Sequence, residues 1–111
     1  MAGVARLLAE QRAEAVRRLA ALERDVDGIV EASRSSNADD EHDPEGATIA
    51  FEREQLSALV ARARQRLVDL DDAAARVTEG TYGRCGSCGT PIAAARLEAL
   101  PTTQTCRDCA G

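Results

Sequence analysis

Apolar and small residues recur along the first third of the chain at Leu8, Ala15, Leu19, Leu22, Val26 and Ile29, in steps of three, four or seven. That spacing predicts one long helix over about residues 3–33 with a narrow apolar seam, in which Arg12 occupies the one position out of pattern. Ser33, Arg34, Ser35, Ser36 and Asn37 then compete for backbone hydrogen bonds, so the helix is expected to stop there. A polar connection, about residues 38–46, ends in Asp43-Pro44-Glu45, which reads as a helix start. The Asp suits the N-cap, proline fits the first helical position, and a carboxylate complements the helix dipole. The second helix should run from Pro44 to Glu79, with its seam at Ile49, Leu56, Val60, Ala63, Leu67, Leu70, Ala74 and Val77, and with Arg53 in the series. Gly80 is placed to end it in a left-handed cap.

Two seams joined by a short connection are most simply satisfied by packing on each other. The expected fold is therefore mainly α: an antiparallel coiled-coil helical hairpin over residues 1–80, then a small C-terminal four-cysteine zinc finger over residues 81–111. The hairpin would reach roughly 45 to 50 Å at 1.5 Å per residue. The alternative, each helix pairing with another chain, lacks a specifying residue such as a lone seam asparagine, and a monomer is expected. Composition agrees with this frame. Aromatic content is only 2%, which leaves few large side chains for a thick core, and the abundance of Ala, Arg, Glu and Leu suits long helices. No run approaches eighteen apolar residues, so no membrane span is expected. Glu10 and Glu14 interrupt the first residues, which therefore do not read as a signal peptide, and a cytoplasmic location follows.

The four cysteines supply the candidate chemistry. Cys85-Gly86-Ser87-Cys88 and Cys106-Arg107-Asp108-Cys109 are separated by seventeen residues, the C-x2-C…C-x2-C spacing of a structural zinc site. A two-residue insert lets both thiolates of a pair face one cation, and two pairs close a tetrahedral shell with no open position. The alternatives are two disulfides, favoured only in an oxidising compartment, or four unrelated thiols. Gly83, Gly86 and Gly89 stand where a knuckle needs positive φ and room for amides to approach sulfur. Four thiolates around Zn2+ leave two negative charges, which Arg84, Arg96 and Arg107 are near enough in sequence to offset.

Charge is concentrated in the connection. Asp39, Asp40, Glu41, Asp43 and Glu45 lie within seven residues that hold no Lys or Arg, and outside them acids and arginines balance, so the net −5 resides there. Such a segment is repelled by phosphate, which argues against sequence-specific DNA binding through the hairpin. A solvated turn is the plain reading of an acidic loop.

Tyr82-Gly83-Arg84-Cys85-Gly86-Ser87-Cys88-Gly89-Thr90-Pro91-Ile92, Arg96-Leu97-Glu98-Ala99-Leu100-Pro101 and Cys106-Arg107-Asp108-Cys109 together resemble the four-cysteine zinc finger of the DksA/TraR family. With the preceding hairpin the resemblance covers nearly the whole chain. It implies a transcription regulator that binds bacterial RNA polymerase directly, its acidic hairpin tip entering the secondary channel to modulate initiation. The implied tip residues are Asp40, Glu41, His42, Asp43, Glu45 and Ala47, and the implied contact with the channel rim is Arg62. The family's Asp-x-x-Asp-x-Ala pattern falls on His42, Glu45 and Ala47, so the first acid is displaced to its neighbours. Asp69 and Leu100 stand where family members that respond to guanosine tetraphosphate carry basic groups, which implies weak or absent synergy.

The resemblance implies one structural Zn2+ held by Cys85, Cys88, Cys106 and Cys109, and no enzyme activity. A closed thiolate shell with no paired general base also disfavours a catalytic zinc. The rival from another class is a zinc-stabilised coiled-coil adaptor that binds a different protein through one seam or through its acidic tip.

Overall fold

In the computed structural model the backbone is described for residues 2–35 and 44–110, and side chains for residues 3–32 and 47–110. Among the described residues the fold is mainly α, without named strands: two long helices, α1 (Ala2–Ser35) and α2 (Pro44–Glu79), and a short α3 (Ala94–Ala99). Ala, Leu, Arg and Glu dominate both long helices, and neither contains an interior proline. The start and end of α2 coincide with the sequence expectation. α1 runs two residues past Ser33, because serine is only weakly unfavourable in a helix.

The end of α2 is set by its backbone. Gly80 adopts φ 81°, Thr81 N–H bonds Arg76 O at 2.9 Å and Gly80 N–H bonds Val77 O at 3.2 Å. This pair of bonds is the Schellman arrangement, which satisfies carbonyls the helix would otherwise leave without donors.

The chain divides into two compact units, residues 14–66 and residues 1–13 with 67–111. In the first, Leu22, Val60 and Ala63 are buried and Leu19, Val26, Leu56 and Leu59 pack against them. Here α1 and α2 are antiparallel: Glu23 faces Arg64 at 3.9 Å, while the later Val26 and Asp27 share a groove with the earlier Ser57 and Val60. The seam of α1 is thus covered by the same chain. The Glu23–Arg64 pair is about half exposed and contributes little.

In the second unit Leu8, Leu70 and Ala73 are buried, and Ala5 and Leu8 share a shallow groove with Ala74, Val77 and Thr78. Arg12 has a partner here: its Nε donates to Asp71 Oδ1 at 2.7 Å, and both side chains are about half exposed, so the cation stays at the solvent-facing edge of the seam. One seam position is corrected. Ala74 is exposed and Ala73 is wholly buried, because a straight helix at 3.6 residues per turn drifts about 20° per heptad from a strict 3.5-residue pattern.

Candidate metal centre

The finger is assembled around a reversal that follows α2. Tyr82 is buried and its hydroxyl donates to Pro101 O at 2.8 Å, joining the start of the finger to the loop before its second cysteine pair. Arg76, still on α2, donates from Nη2 to Thr102 O at 3.2 Å in the same loop. Gly83 takes φ 84°, its carbonyl accepts Ile92 N–H at 2.7 Å, and Arg84 bridges Pro91.

The first knuckle then closes on itself. Cys85 N–H bonds Thr90 O at 2.8 Å, and Gly89 N–H, at φ 75°, bonds Cys85 O at 2.9 Å. Cys106 O accepts Cys109 N–H and Ala110 N–H, each at 3.1 Å, in the second. Gly86 N–H to Gln104 O at 2.8 Å ties the two halves together. Gly86 differs from the expectation for it: only Gly80, Gly83 and Gly89 have positive φ among the described glycines, and a Cβ on Gly86 would stand 3.5 Å from Gln104 O. Its contribution is the cross-link by its amide, not a left-handed turn.

These loops gather the thiols. The Sγ atoms of Cys85, Cys88, Cys106 and Cys109 all lie within 4.8 Å of one another, and Cys88 Sγ is 3.7 Å from Cys106 Sγ. A tetrahedron with zinc–sulfur lengths near 2.3 Å has edges of roughly 3.8 Å, so this spacing fits one zinc ion and is far longer than a disulfide. Cys85 is buried, Cys106 half-buried, and Cys88 and Cys109 face solvent.

Four thiols this close cannot all ionise without a cation among them. Backbone amides, first that of Cys106 and then that of Cys88, draw the Cys85 thiol down to about 6. Cys88 is lowered chiefly by the Thr90 hydroxyl. Cys109 is pushed up to about 12, first by Cys106 and then by Cys85 and Cys88. A divalent cation removes that conflict, since it favours the thiolate form of every ligand.

Two of the three arginines near the cysteines in sequence bond to backbone carbonyls of the finger. Arg96 donates from Nε to Thr105 O at 2.9 Å and lies 3.4 Å from Thr103 Oγ1, fixing the residues that lead into Cys106. Arg84 donates to Gly89 O at 3.2 Å, and Arg107 is exposed. Burial raises the Tyr82 phenol above its ordinary value, with Arg76 opposing. The cysteine spacing gives Arg76, Tyr82 and Thr90 no part in the site; Tyr82 and Thr90 stand within the finger motif, whereas nothing in the sequence marks Arg76.

The remaining sequence candidates fall elsewhere. Asp40, Glu41, His42 and Asp43 lie outside the described residues, as does the side chain of Glu45. Ala47 and Arg62 are both exposed on α2. Between them stands Phe51, the chain's single phenylalanine, 62% exposed. Ala47, Phe51, Ala58 and Arg62 follow one another at intervals of four or seven, so they share one face of the helix, away from the Leu56–Val60–Ala63 seam.

Residues 80–111 match the prokaryotic dksA/traR C4-type zinc finger. The C-terminal part of the chain is therefore similar to a DksA/TraR-type zinc finger. It is 41% identical over 69 residues to the uncharacterized protein YteA of Bacillus subtilis, a stretch covering 62% of this chain and 29% of that protein. It is 49% identical over 41 residues to the RNA polymerase-binding transcription factor DksA of Caulobacter vibrioides, covering 37% of this chain and 29% of that one. The chain thus spans less than half the length of the curated relatives it matches. The structure of transcription factor DksA2 from Pseudomonas aeruginosa covers 96% of this chain and 79% of its own, with TM-score 0.61 and 24% identity, a likeness of fold. The DksA/TraR-like finger accounts for one structural zinc. Among the described residues no helix is long and apolar enough to cross a membrane.

Proposed function

We propose that this chain is a transcription regulator that binds bacterial RNA polymerase directly. The observation that carries the reading is the 49% identity, over a stretch of 41 residues, to a protein named for that activity. The paired helices and the acid-rich segment between them support it. On this reading the carboxylates of Asp40, Glu41, Asp43 and Glu45, with His42 and Ala47, enter the secondary channel, and Arg62 meets its rim. There the carboxylates would act on the active-centre magnesium or the elements around it, as hard oxygen ligands do. The zinc centre is structural: its four thiolates leave no open coordination position for catalysis.

The α2 face that carries Ala47 and Arg62 offers a further contact. Exposed aromatic rings and arginines are the residues that anchor protein interfaces, and Phe51 lies between the two. Binding of the zinc-loaded chain to bacterial core RNA polymerase, followed by anisotropy, tests the proposal. Glu45→Ala, Phe51→Ala and Arg62→Ala should each weaken it, by about tenfold for Phe51 or Arg62. No measurable binding of the unmodified chain would favour the adaptor reading.

A further inference from the structure

Cys88 is the exposed ligand of the first knuckle, and its Sγ lies 3.0 Å from Thr90 Oγ1. Either atom could be the donor in the free thiol. With zinc bound the sulfur carries no hydrogen, so the hydroxyl must donate, giving a charge-assisted bond to the thiolate. The same residue holds the knuckle through its backbone, since Thr90 O accepts the amide of Cys85 at 2.8 Å. Thr90 therefore connects the buried ligand of the knuckle to the exposed one. A hydrogen-bond donor to a metal-bound thiolate restrains the sulfur and withdraws electron density from it.

We propose that Thr90 is a positioning residue that governs how readily the zinc centre opens at Cys88. The hydroxyl holds the Cys88 thiolate toward the metal and engages a sulfur lone pair that an electrophile or an incoming proton would otherwise use. When the Cys88 thiolate attacks an alkylating agent such as iodoacetamide, its lone pair forms a sulfur–carbon bond and iodide leaves. The resulting thioether no longer carries the charge of a ligand, and zinc is lost from that corner. This inference concerns the metal centre alone and is independent of any partner.

The test uses the full zinc-loaded chain and two readouts: the rate of zinc transfer to an excess of chromophoric chelator, and the order in which iodoacetamide modifies the four cysteines, mapped by mass spectrometry. Thr90→Val keeps the shape of the side chain and removes the donor. It should raise the transfer rate about tenfold and increase the share of Cys88 among singly alkylated molecules. Thr90→Ser restores the hydroxyl and should return both to the unmodified values. The fluorescence of the single tyrosine, Tyr82, checks that the finger is folded. Thr90→Ala provides a second donor-free variant if Thr90→Val does not load with zinc. Equal transfer rates for the unmodified and donor-free chains, or a Thr90→Ser chain as labile as Thr90→Val, would overturn the proposal.

Discussion

Replacing Tyr82 by phenylalanine isolates one bond that ties the two halves of the finger together. The ring stays in place, only 6% exposed, so no large cavity forms. What is lost is the 2.8 Å donor to Pro101 O, a carbonyl on a residue that is itself buried. A buried acceptor left without its partner costs about 1 to 3 kcal/mol. Because a small zinc finger folds as it binds metal, that cost should appear as weaker zinc binding, by a factor of about 10 to 100. Competition with a chelator of known affinity measures it, and thermal melting followed by circular dichroism monitors the helices. The variant should also lose a pH dependence of the parent. Burial raises the Tyr82 phenol above its unfolded value, so the stabilisation is fully present below about pH 10 and is lost as pH rises through the folded value. Tyr82→Phe should lack this loss at high pH. Zinc affinity unchanged within about twofold would refute the role assigned to the bond.

Three further outcomes are expected. Complete removal of zinc should disorder residues 80–111 and quench the Tyr82 environment while much of the helical signal persists, since Leu22, Val60 and Ala63 pack without the metal; an unchanged spectrum after verified metal loss would contradict this. Gly80→Ala should destabilise the end of α2 by about 1 kcal/mol, because φ 81° is strained for any residue with a Cβ although nothing lies within 4 Å of one; chemical denaturation measures it. On the proposed reading as a polymerase regulator, guanosine tetraphosphate should not strengthen its effect in purified transcription, as half-buried Asp69 and exposed Leu100 offer no cationic group for its phosphates.

Much of this molecule was legible in the residues themselves. Proline at position 44 and glycine at position 80 delimit α2 because each has a backbone preference that few residues share. The cysteine spacing likewise encodes a chemical requirement, four donors for one cation. Ala73 was missed because a seam drawn at 3.5 residues per turn ignores the drift of a real helix. Arg12 resembled a flaw in the pattern until Asp71, distant in sequence, supplied its partner. The supports of the finger were harder to read. Arg76 to Thr102, Arg96 to Thr105 and Tyr82 to Pro101 all end on backbone carbonyls, and a carbonyl carries no mark in the sequence.

The most direct test of the account is a photo-crosslinking probe introduced at Glu45 in the zinc-loaded chain and mixed with bacterial core RNA polymerase. The account predicts adducts on the polymerase around its active centre, reduced when Arg62→Ala is combined with the probe. Adducts confined to the outer surface of the polymerase, or none at all from a chain that retains its zinc, would contradict it.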